Sequence, residues 1–268
     1  MTFTRPARRR TSRVSEPGQT VGVIPARYAS TRFPGKPLAA IAGKPMIQRV
    51  YEMVSRARRL SRVIVATDDE RISQAVRDFG GEVMITSAEH RSGTDRVAEV
   101  ARRLDAPYYV NVQGDEPLID PSLIDAVAGM LAGGAPMATL AARITARSDL
   151  FDQNLAKVVL DRDGFAVYFS RHSIPFPRMY LDRGADVDLE TSAYLRHIGT
   201  YGYSRSVLLE LAGAEPCEME QLESLEQLRA LYLGIKIKVE VVEESSPCVD
   251  VPEDIAKVEK ILAARGAQ

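Results

Sequence analysis

Short apolar runs rich in β-branched residues alternate with helical segments over the first half of the chain. The runs predict strands at residues 21–24, 62–67, 82–85 and 108–112. The intervening segments predict helices at residues 45–58, 69–79, 93–103 and 121–131, with Pro45 in the first turn of its helix and Asp68 or Asp69 capping the next. This alternation predicts a Rossmann-like α/β fold, with a mostly parallel central sheet and helices on both faces.

The pattern changes after residue 142. Three predicted strands at residues 157–160, 165–169 and 196–203 are separated by a polar, proline-marked stretch at 172–192. We interpret this part as a small α/β excursion from the main sheet. Helices are expected again at residues 218–233 and 252–264, on either side of a strand at 236–242.

Residues 1–20 contain five arginines and a single acidic residue, Glu16, with almost no large apolar side chains. Such a segment buries too little surface to offset its ordering entropy, so it is predicted to be a disordered basic tail. A transit peptide is the alternative, but no amphipathic apolar face is visible. Residues 21–268 are predicted to form the folded domain.

The composition excludes several classes of protein. A formal net charge of −1 over 268 residues argues against a nucleic-acid binder. No apolar run approaches the roughly 20 residues of a membrane span, so no membrane association is expected. The two cysteines, Cys217 and Cys248, are too few for a disulfide framework, which fits a reducing cytoplasm.

The loop after the first predicted strand carries three cations, Arg27, Arg32 and Lys36, among three prolines and a glycine. Because these residues prevent a regular helix, the loop must turn, and it can point the cations at one ligand. Ligands of open α/β sheets bind beyond the carboxyl ends of the strands, so the loop predicts an anion site for a triphosphate. The alternative is a solvated basic loop.

Two further segments end predicted strands. Residues 111–117 (NVQGDEP) place Gln113, Asp115 and Glu116 at the carboxyl edge, where Asp115 or Glu116 would suit Mg²⁺ beside a triphosphate or would serve as helix-leading acids. Residues 90–96 (HRSGTDR) open a helix, where Ser92 and Gly93 offer a hydroxyl and N–H groups to a ligand or form an ordinary cap.

These segments resemble motifs of the 3-deoxy-manno-octulosonate cytidylyltransferases, the CMP-Kdo synthetases, within the sugar-activating nucleotidyltransferases. The resemblance continues in four later segments, in the same order, to near the end of the chain: YFSR, RHIGTYGY, LEQLR and VDVPED, which begin at residues 168, 196, 225 and 249. It implies a nucleotidyltransferase-like fold and transfer of CMP from CTP to the anomeric hydroxyl of the acid sugar Kdo. The products would be CMP-Kdo, for lipopolysaccharide biosynthesis, and pyrophosphate.

The resemblance also assigns roles to residues of this chain. It implies catalysis by Arg27, Arg32, Lys36 and Asp115, and Mg²⁺ as cofactor on Asp115 and Asp250. Nucleotide contacts are implied for these loop cations, Asp115, Ser30, Ser92 and Gly93, with the last two near the cytosine. Sugar contacts are implied for Gln113, Arg171, His197, Tyr201, Glu226 and Gln227. It further implies a homodimer formed through residues 165–203, which would also lie on the sugar side.

Two alternatives stay open from the sequence. One is a cytidylyltransferase for another acid sugar, such as 8-amino-Kdo or sialic acid, which only the sugar pocket would distinguish. The other is a nucleotide-binding regulatory module without turnover, against which Lys36, Asp115 and Asp250 argue.

Overall fold

The computed structural model of the protein describes residues 20–29, 33–178, 187–189, 194–243 and 247–266. The predicted basic tail therefore lies outside the described residues, apart from Thr20, which begins the first strand. Within the described residues, no helix combines the length and the hydropathy that crossing a membrane requires.

The described part of the chain is an α/β structure. Its strands are β1 (Thr20–Ala26), β2 (Ala40–Ile41), β3 (Lys44–Pro45), β4 (Leu60–Thr67), β5 (Val83–Ile85), β6 (Tyr108–Asn111), β7 (Met137–Arg143), β8 (Lys157–Leu160), β9 (Ala166–Ser170), β10 (Leu195–Ser204) and β11 (Ile237–Val242). Its α-helices are α1 (Met46–Val54), α2 (Glu70–Asp78), α3 (Gly93–Arg103), α4 (Pro121–Ala132), α5 (Arg147–Phe151), α6 (Arg205–Gly213), α7 (Glu218–Glu223), α8 (Gln227–Tyr232) and α9 (Asp254–Gly266).

The main sheet has the strand order β11-β7-β10-β6-β1-β4-β5, and β8 and β9 extend it from β10. Strands β11, β7, β6, β1, β4 and β5 share one direction, and β10 runs antiparallel between β7 and β6. The predicted mostly parallel sheet is confirmed. Within it, β1 is paired with β4 on one side and with β6 on the other, so the chain reverses its direction of winding at the β1–β6 boundary. Ligands of open α/β sheets bind at such a switch point.

Two apolar layers cover the sheet. On one face, helices α1 and α4 pack residues such as Ile47 and Ile124 against the strands, and both side chains are fully buried. On the other face, α3, α6 and α8 contribute Val97, Leu208 and Leu228 to a second layer. This arrangement, with the sheet shielded on both sides, explains why its strands are near-continuous apolar runs.

Local signals account for the helices that the sequence predicted well. Helix α3 begins at Gly93 because Ser92 and Asp95 form a reciprocal capping box, in which each side chain accepts from the other's backbone N–H. Helix α2 begins after Asp69, whose carboxylate accepts from the backbone N–H of Arg71. Pro45, by contrast, does not lie in the first turn of α1: it pairs in β3 and immediately precedes the helix.

Two predictions about the second half of the chain are wrong. The helix expected at 218–233 is two short helices, α7 and α8, because Ser224 adopts a left-handed conformation with φ 51° and ends the first. The strand expected at 196–203 does not leave the main sheet, since β10 lies in its interior between β7 and β6. Strand β7 was not predicted, because its alanine-rich sequence contains a single β-branched residue, Thr139, among the residue types that indicate a strand.

The packing of α4 on β10 gives a testable prediction. A Cβ atom at Gly202 would lie 2.5 Å from Cγ1 of Val127 and 2.8 Å from Cδ1 of Leu131, both of which belong to a fully buried face of α4. We expect Gly202→Ala to lower the free energy of unfolding by about 1–3 kcal/mol through overpacking, measured by urea denaturation. Gly213→Ala is the matched control, because a Cβ there meets no atom within 4 Å. Equal losses in the two variants would contradict this account.

Candidate active site

A cleft of about 290 Å³ opens at the carboxyl ends of β1 and β6, at the switch point of the sheet. Six predicted site residues line it: Arg27, Lys36, Ser92, Gly93, Gln113 and Asp115. The structure therefore brings together the cationic loop, the turn after β6 and the start of α3. The predicted nucleotide residues Ser30 and Arg32 lie outside the described residues.

Lys36, which lines the cleft, lies close to two predicted metal ligands. Its Nζ atom donates to Oδ2 of Asp115 at 2.6 Å and to the carbonyl oxygen of Val249 at 3.0 Å. The same nitrogen lies 3.9 Å from Oδ1 of Asp250. A backbone hydrogen bond from Val249 to the carbonyl oxygen of Asp115 joins the two carboxylate-bearing segments directly. Residues far apart in sequence thus form one cluster, with one ammonium group and two carboxylates.

The turn after β6 can approach β1 closely because Gly114 has no side chain. A Cβ atom at this position would lie 2.9 Å from the carbonyl oxygen of Pro25, a separation that real Cβ atoms essentially never show. The absence of a side chain lets Gln113 and Asp115 lie beside the end of β1. Glycine is therefore a geometric requirement of the site at this position.

The two acids of this turn have different environments. Glu116 is 8% exposed, and burial, followed by the charge of Asp115, raises the pKa of Glu116 to about 8. Glu116 is thus largely uncharged at neutral pH, whereas Asp115 faces the ammonium group of Lys36 in the cleft. The structure thus distinguishes the roles of two acids that the sequence left equivalent as candidate metal ligands.

Glu226 connects the turn before α3 with the predicted sugar residues. Its carboxylate accepts hydrogen bonds from the hydroxyls of Ser92, at 3.1 Å, and Thr94, at 3.0 Å. Burial raises the pKa of Glu226, against the lowering effect of these two hydroxyls. Ser92 and Glu226 also line a second cavity of about 550 Å³ on the other side of this turn. The two hydroxyl contacts make Glu226 part of the framework of this turn.

Other predicted sugar residues lie on β10 and at the start of α8. Tyr201, Glu226 and Gln227 line a small cavity of about 20 Å³ between the sheet and α8. The ring of His197 lies 5.1 Å from that of Tyr201, between centroids, and Nε2 of Gln113 donates to the carbonyl oxygen of Gly199 at 3.0 Å. The Nε2 atom of Gln227 is buried and has no hydrogen-bond partner in the described part of the chain. A buried donor of this kind is suited to a polar ligand.

Arg171 occupies a different position from the other predicted sugar residues. Its guanidinium group donates to the backbone carbonyl oxygens of Glu223 at 2.8 Å, Gln153 at 3.0 Å and Ser224 at 3.3 Å. These contacts brace the break between α7 and α8, and Arg171 does not line the cavities described above. Two of the contacted residues, Glu223 and Ser224, directly precede the segment that carries Glu226.

A buried cation that the sequence did not predict as a site residue, Arg96, also lines the cleft. Arg96 is 4% exposed, lies 3.4 Å from Oδ1 of Asp68 and donates to Oγ1 of Thr86 at 2.5 Å. One signal could have found it: Arg96 follows Ser92 by four residues, which places both on one side of the first turn of α3.

Metal coordination by protein groups alone is limited in this site. Across the ranges that the structure describes, no three His, Cys, Asp or Glu side chains are grouped closely enough to hold an ion. The cluster of Asp115 and Asp250 offers two carboxylates. A metal held there would need further ligands from substrate or water, which is the usual coordination of Mg²⁺.

Comparisons with known proteins find similar chains that cover most of this sequence. Residues 21–237 match a family model described as cytidylyltransferase. A 3-deoxy-manno-octulosonate cytidylyltransferase from Syntrophotalea carbinolica is 52% identical over 242 residues, covering 90% of this chain and 97% of the relative. One from Marinobacter nauticus is 53% identical over 256 residues, covering 92% and 98%. A solved structure of CMP:2-keto-3-deoxy-manno-octonic acid synthetase complexed with CTP is 41% identical, with a TM-score of 0.85 and coverage of 92% of this chain and 99% of that one.

The cluster of Lys36, Asp115 and Asp250 gives a prediction for the stability of the protein without ligands. Lys36→Met removes a cation whose side chain is 15% exposed and leaves the carboxylate of Asp115 without its hydrogen-bond donor. We expect a loss of about 1–3 kcal/mol in the free energy of unfolding, the range for hydrogen bonds to charged groups, measured by urea denaturation in the absence of Mg²⁺. Lys44→Met is the matched control, because its ion pair with Glu52 is more exposed and should contribute less than about 1 kcal/mol. A smaller loss for Lys36→Met than for the control would contradict the importance of the cluster.

Proposed function

The chain belongs to the cytidylyltransferase family, and from this premise we propose that it transfers CMP from CTP to the anomeric hydroxyl of Kdo, with release of pyrophosphate. The observation that carries the proposal is the cluster of Lys36, Asp115 and Asp250 at the switch point of the sheet. It combines an ammonium group and two carboxylates beside the cleft that Ser92 and Gly93 line. Relatives that cover nearly the whole chain carry the name of this activity.

The residues present fit Mg²⁺. Asp115 and Asp250 supply hard oxygen ligands, both within 4 Å of Lys36 Nζ, and the cleft beside them has room for phosphate oxygens. We assign Asp115 and Asp250 to this ion. When bound, Mg²⁺ would lower the pKa of an oxygen nucleophile and neutralise charge on the phosphates.

Catalysis of this reaction depends mainly on positioning the two substrates and on stabilising negative charge. Arg27 and Lys36 would bind the triphosphate, and Ser30 and Arg32 are proposed to join them from the part of the loop outside the described residues. The anomeric oxygen of Kdo forms a bond to the α-phosphorus as the bond from that phosphorus to the pyrophosphate oxygen breaks. The hydroxyl releases its proton to solvent water in the same step, and the cations stabilise the negative charge that moves onto pyrophosphate.

The nucleotide base is proposed to bind at the turn before α3. Ser92 and Gly93 line the cleft, and the capping box fixes their backbone. The hydroxyl of Ser92 accepts a hydrogen bond from the backbone N–H of Asp95 and donates one to the carboxylate of Glu226. Its orientation is therefore set before any ligand binds. A turn of fixed shape in a cleft of about 290 Å³ favours a pyrimidine over the larger purines.

The acid sugar is proposed to bind next to this turn, along β10 and the start of α8. His197, Tyr201, Glu226 and Gln227 would contact its hydroxyls, together with Gln113. Glu226 contacts the turn before α3 through Ser92 and Thr94, and it lies beside Tyr201 and Gln227. These contacts would align the two substrates. Arg171 is proposed to bind the sugar carboxylate through a guanidinium N–H that its backbone contacts leave available.

Several features remain predictions that follow from the family. They are a homodimer formed through residues 165–203, a cytoplasmic location and a role in lipopolysaccharide biosynthesis. The proposed partners are the two substrates, CTP and free Kdo. Neither nucleic acid nor a membrane is expected as a partner. The basic tail is predicted to contribute nothing to this chemistry.

A substrate panel tests the proposed function. Pyrophosphate release should be measured with CTP, UTP, ATP and GTP, each paired with Kdo, 8-amino-Kdo and sialic acid. We expect CTP with Kdo to have the highest kcat/KM, with ATP and GTP lower by about a hundredfold or more because a purine does not fit the Ser92–Gly93 turn. Equal turnover with a purine nucleotide would refute the nucleotide assignment, and preference for another sugar would refute the sugar assignment. No release with any pair would indicate a regulatory module.

Asp250→Asn tests the metal assignment. We expect most of the turnover to be lost at saturating CTP and Kdo, because an amide is a much poorer Mg²⁺ ligand than a carboxylate. The free energy of unfolding should change by less than about 1 kcal/mol, since the side chain is 42% exposed. The measurement is the initial rate as a function of Mg²⁺ concentration.

Glu253→Gln is the control for this variant, because it removes a neighbouring exposed acid outside the cluster. The control should keep the Mg²⁺ dependence of the unmodified protein. Near-normal turnover of Asp250→Asn at saturating Mg²⁺ would show that Asp250 is not a metal ligand.

A further inference from the structure

A bulge interrupts β10 between two predicted sugar residues, His197 and Tyr201. In the pairing with β7, Ile198 lies opposite Leu140 and Tyr201 lies opposite Thr139, so Gly199 and Thr200 have no partner on β7. A bulge of this kind leaves backbone carbonyl groups that need other donors. Gln113 supplies one of them through its hydrogen bond to Gly199.

The hydroxyl of Thr139 is at the centre of this bulge. Its Oγ1 atom lies 3.1 Å from the carbonyl oxygen of Ile198, 2.9 Å from that of Thr200 and 2.9 Å from Nε2 of His197. Thr139 is fully buried, so its partners are these three atoms rather than solvent. A hydroxyl has one hydrogen to donate and lone pairs that accept.

This geometry decides the direction of each hydrogen bond. Carbonyl oxygens only accept, so the hydroxyl hydrogen of Thr139 must point toward Ile198 and Thr200. If it pointed to His197 instead, both carbonyl oxygens would face lone pairs of Oγ1 without a hydrogen between them. Oγ1 therefore accepts a hydrogen bond from Nε2–H of His197.

The ring of His197 is held in place and carries a single proton. Its edge packs against Phe169 at a centroid distance of 5.2 Å, with Tyr201 on another side at 5.1 Å. Burial lowers the pKa of His197 to about 3, so the ring is neutral at physiological pH. With that proton on Nε2, Nδ1 is an acceptor, and no residue in the described ranges hydrogen-bonds to it.

We propose that Thr139 is a positioning residue: it holds His197 as the Nε2-protonated tautomer, so that Nδ1 accepts a hydrogen bond from a hydroxyl of the acid sugar. The sugar contact rests on the proposed function, whereas the tautomer is a property of the free protein. Thr139 does not touch the substrate. The same hydroxyl donates to the carbonyl oxygens of the bulge and orients the ring that would recognise a sugar hydroxyl.

The test compares three variants by NMR and kinetics. Thr139→Val removes the hydroxyl at nearly constant volume, Thr139→Ser keeps it, and Thr200→Val removes a buried hydroxyl on the same bulge that has no hydrogen-bond partner among the described residues. Long-range ¹⁵N–¹H spectra of the free protein report which ring nitrogen of His197 is protonated, with His197→Gln used to assign the signals. KM for Kdo and KM for CTP are measured separately.

We expect the Nε2–H pattern in the unmodified protein, Thr139→Ser and Thr200→Val. Thr139→Val should show a mixture with the Nδ1–H form. Its KM for Kdo should rise about fivefold, the effect of one neutral hydrogen bond, while its KM for CTP stays within about twofold.

Other outcomes would overturn the proposal. An Nδ1–H ring in the unmodified protein would do so, even if Thr139→Val failed to fold. A Thr139→Val variant that is less stable but keeps the Nε2–H ring and an unchanged KM for Kdo would show a purely structural role for the hydroxyl. If the unmodified protein had the Nε2–H ring but formed no CMP-Kdo, the proposed function would fail and the sugar contact with it, while the tautomer assignment would stand.

Discussion

The hydrogen bonds of Lys36 are the contacts on which the site depends. Through one nitrogen atom, Lys36 joins the loop after β1 to the turn after β6 and to the segment after β11. These three segments lie far apart in sequence, and each carries a group that the proposed reaction needs. Because the lysine side chain is largely buried, its charge is poorly screened, and the two carboxylates compensate it.

The topology of the sheet explains why these segments meet. Strand β1 pairs with β4 on one side and with β6 on the other, so the loops that leave β1 and β6 diverge and leave a crevice between them. Gly114 then allows the turn after β6 to touch the end of β1. A cleft formed by backbone topology needs few side chains to define its shape. Polar side chains such as Arg27, Gln113 and Asp115 line this cleft.

The sequence predicted those parts of the protein that depend on local interactions. The start and end of α3 follow from a capping box and a regular apolar pattern, and the acidic turn after β6 follows from a buried strand with a glycine, Gly114, shortly after its end. The break between α7 and α8 was missed because Ser224 carries no local signal for a left-handed conformation. Arg96 was missed because its burial depends on Asp68 and Thr86, which follow two other strands of the sheet.

The position of β10 could not be predicted from local patterns either, and it determines where the proposed sugar site lies. Tyr201 pairs with Asn111, the last residue of β6, and the two strands are antiparallel. Residues that precede Tyr201 in β10 therefore extend past the end of β6 and run alongside the turn that holds Asp115, as the contact between Gly199 and Gln113 demonstrates. If β10 were parallel to β6, residues that follow Tyr201, rather than residues that precede it, would extend past the end of β6. The antiparallel direction of β10 is thus the reason why His197, near the start of its strand, lies at the carboxyl edge of the sheet beside the turn that carries Asp115.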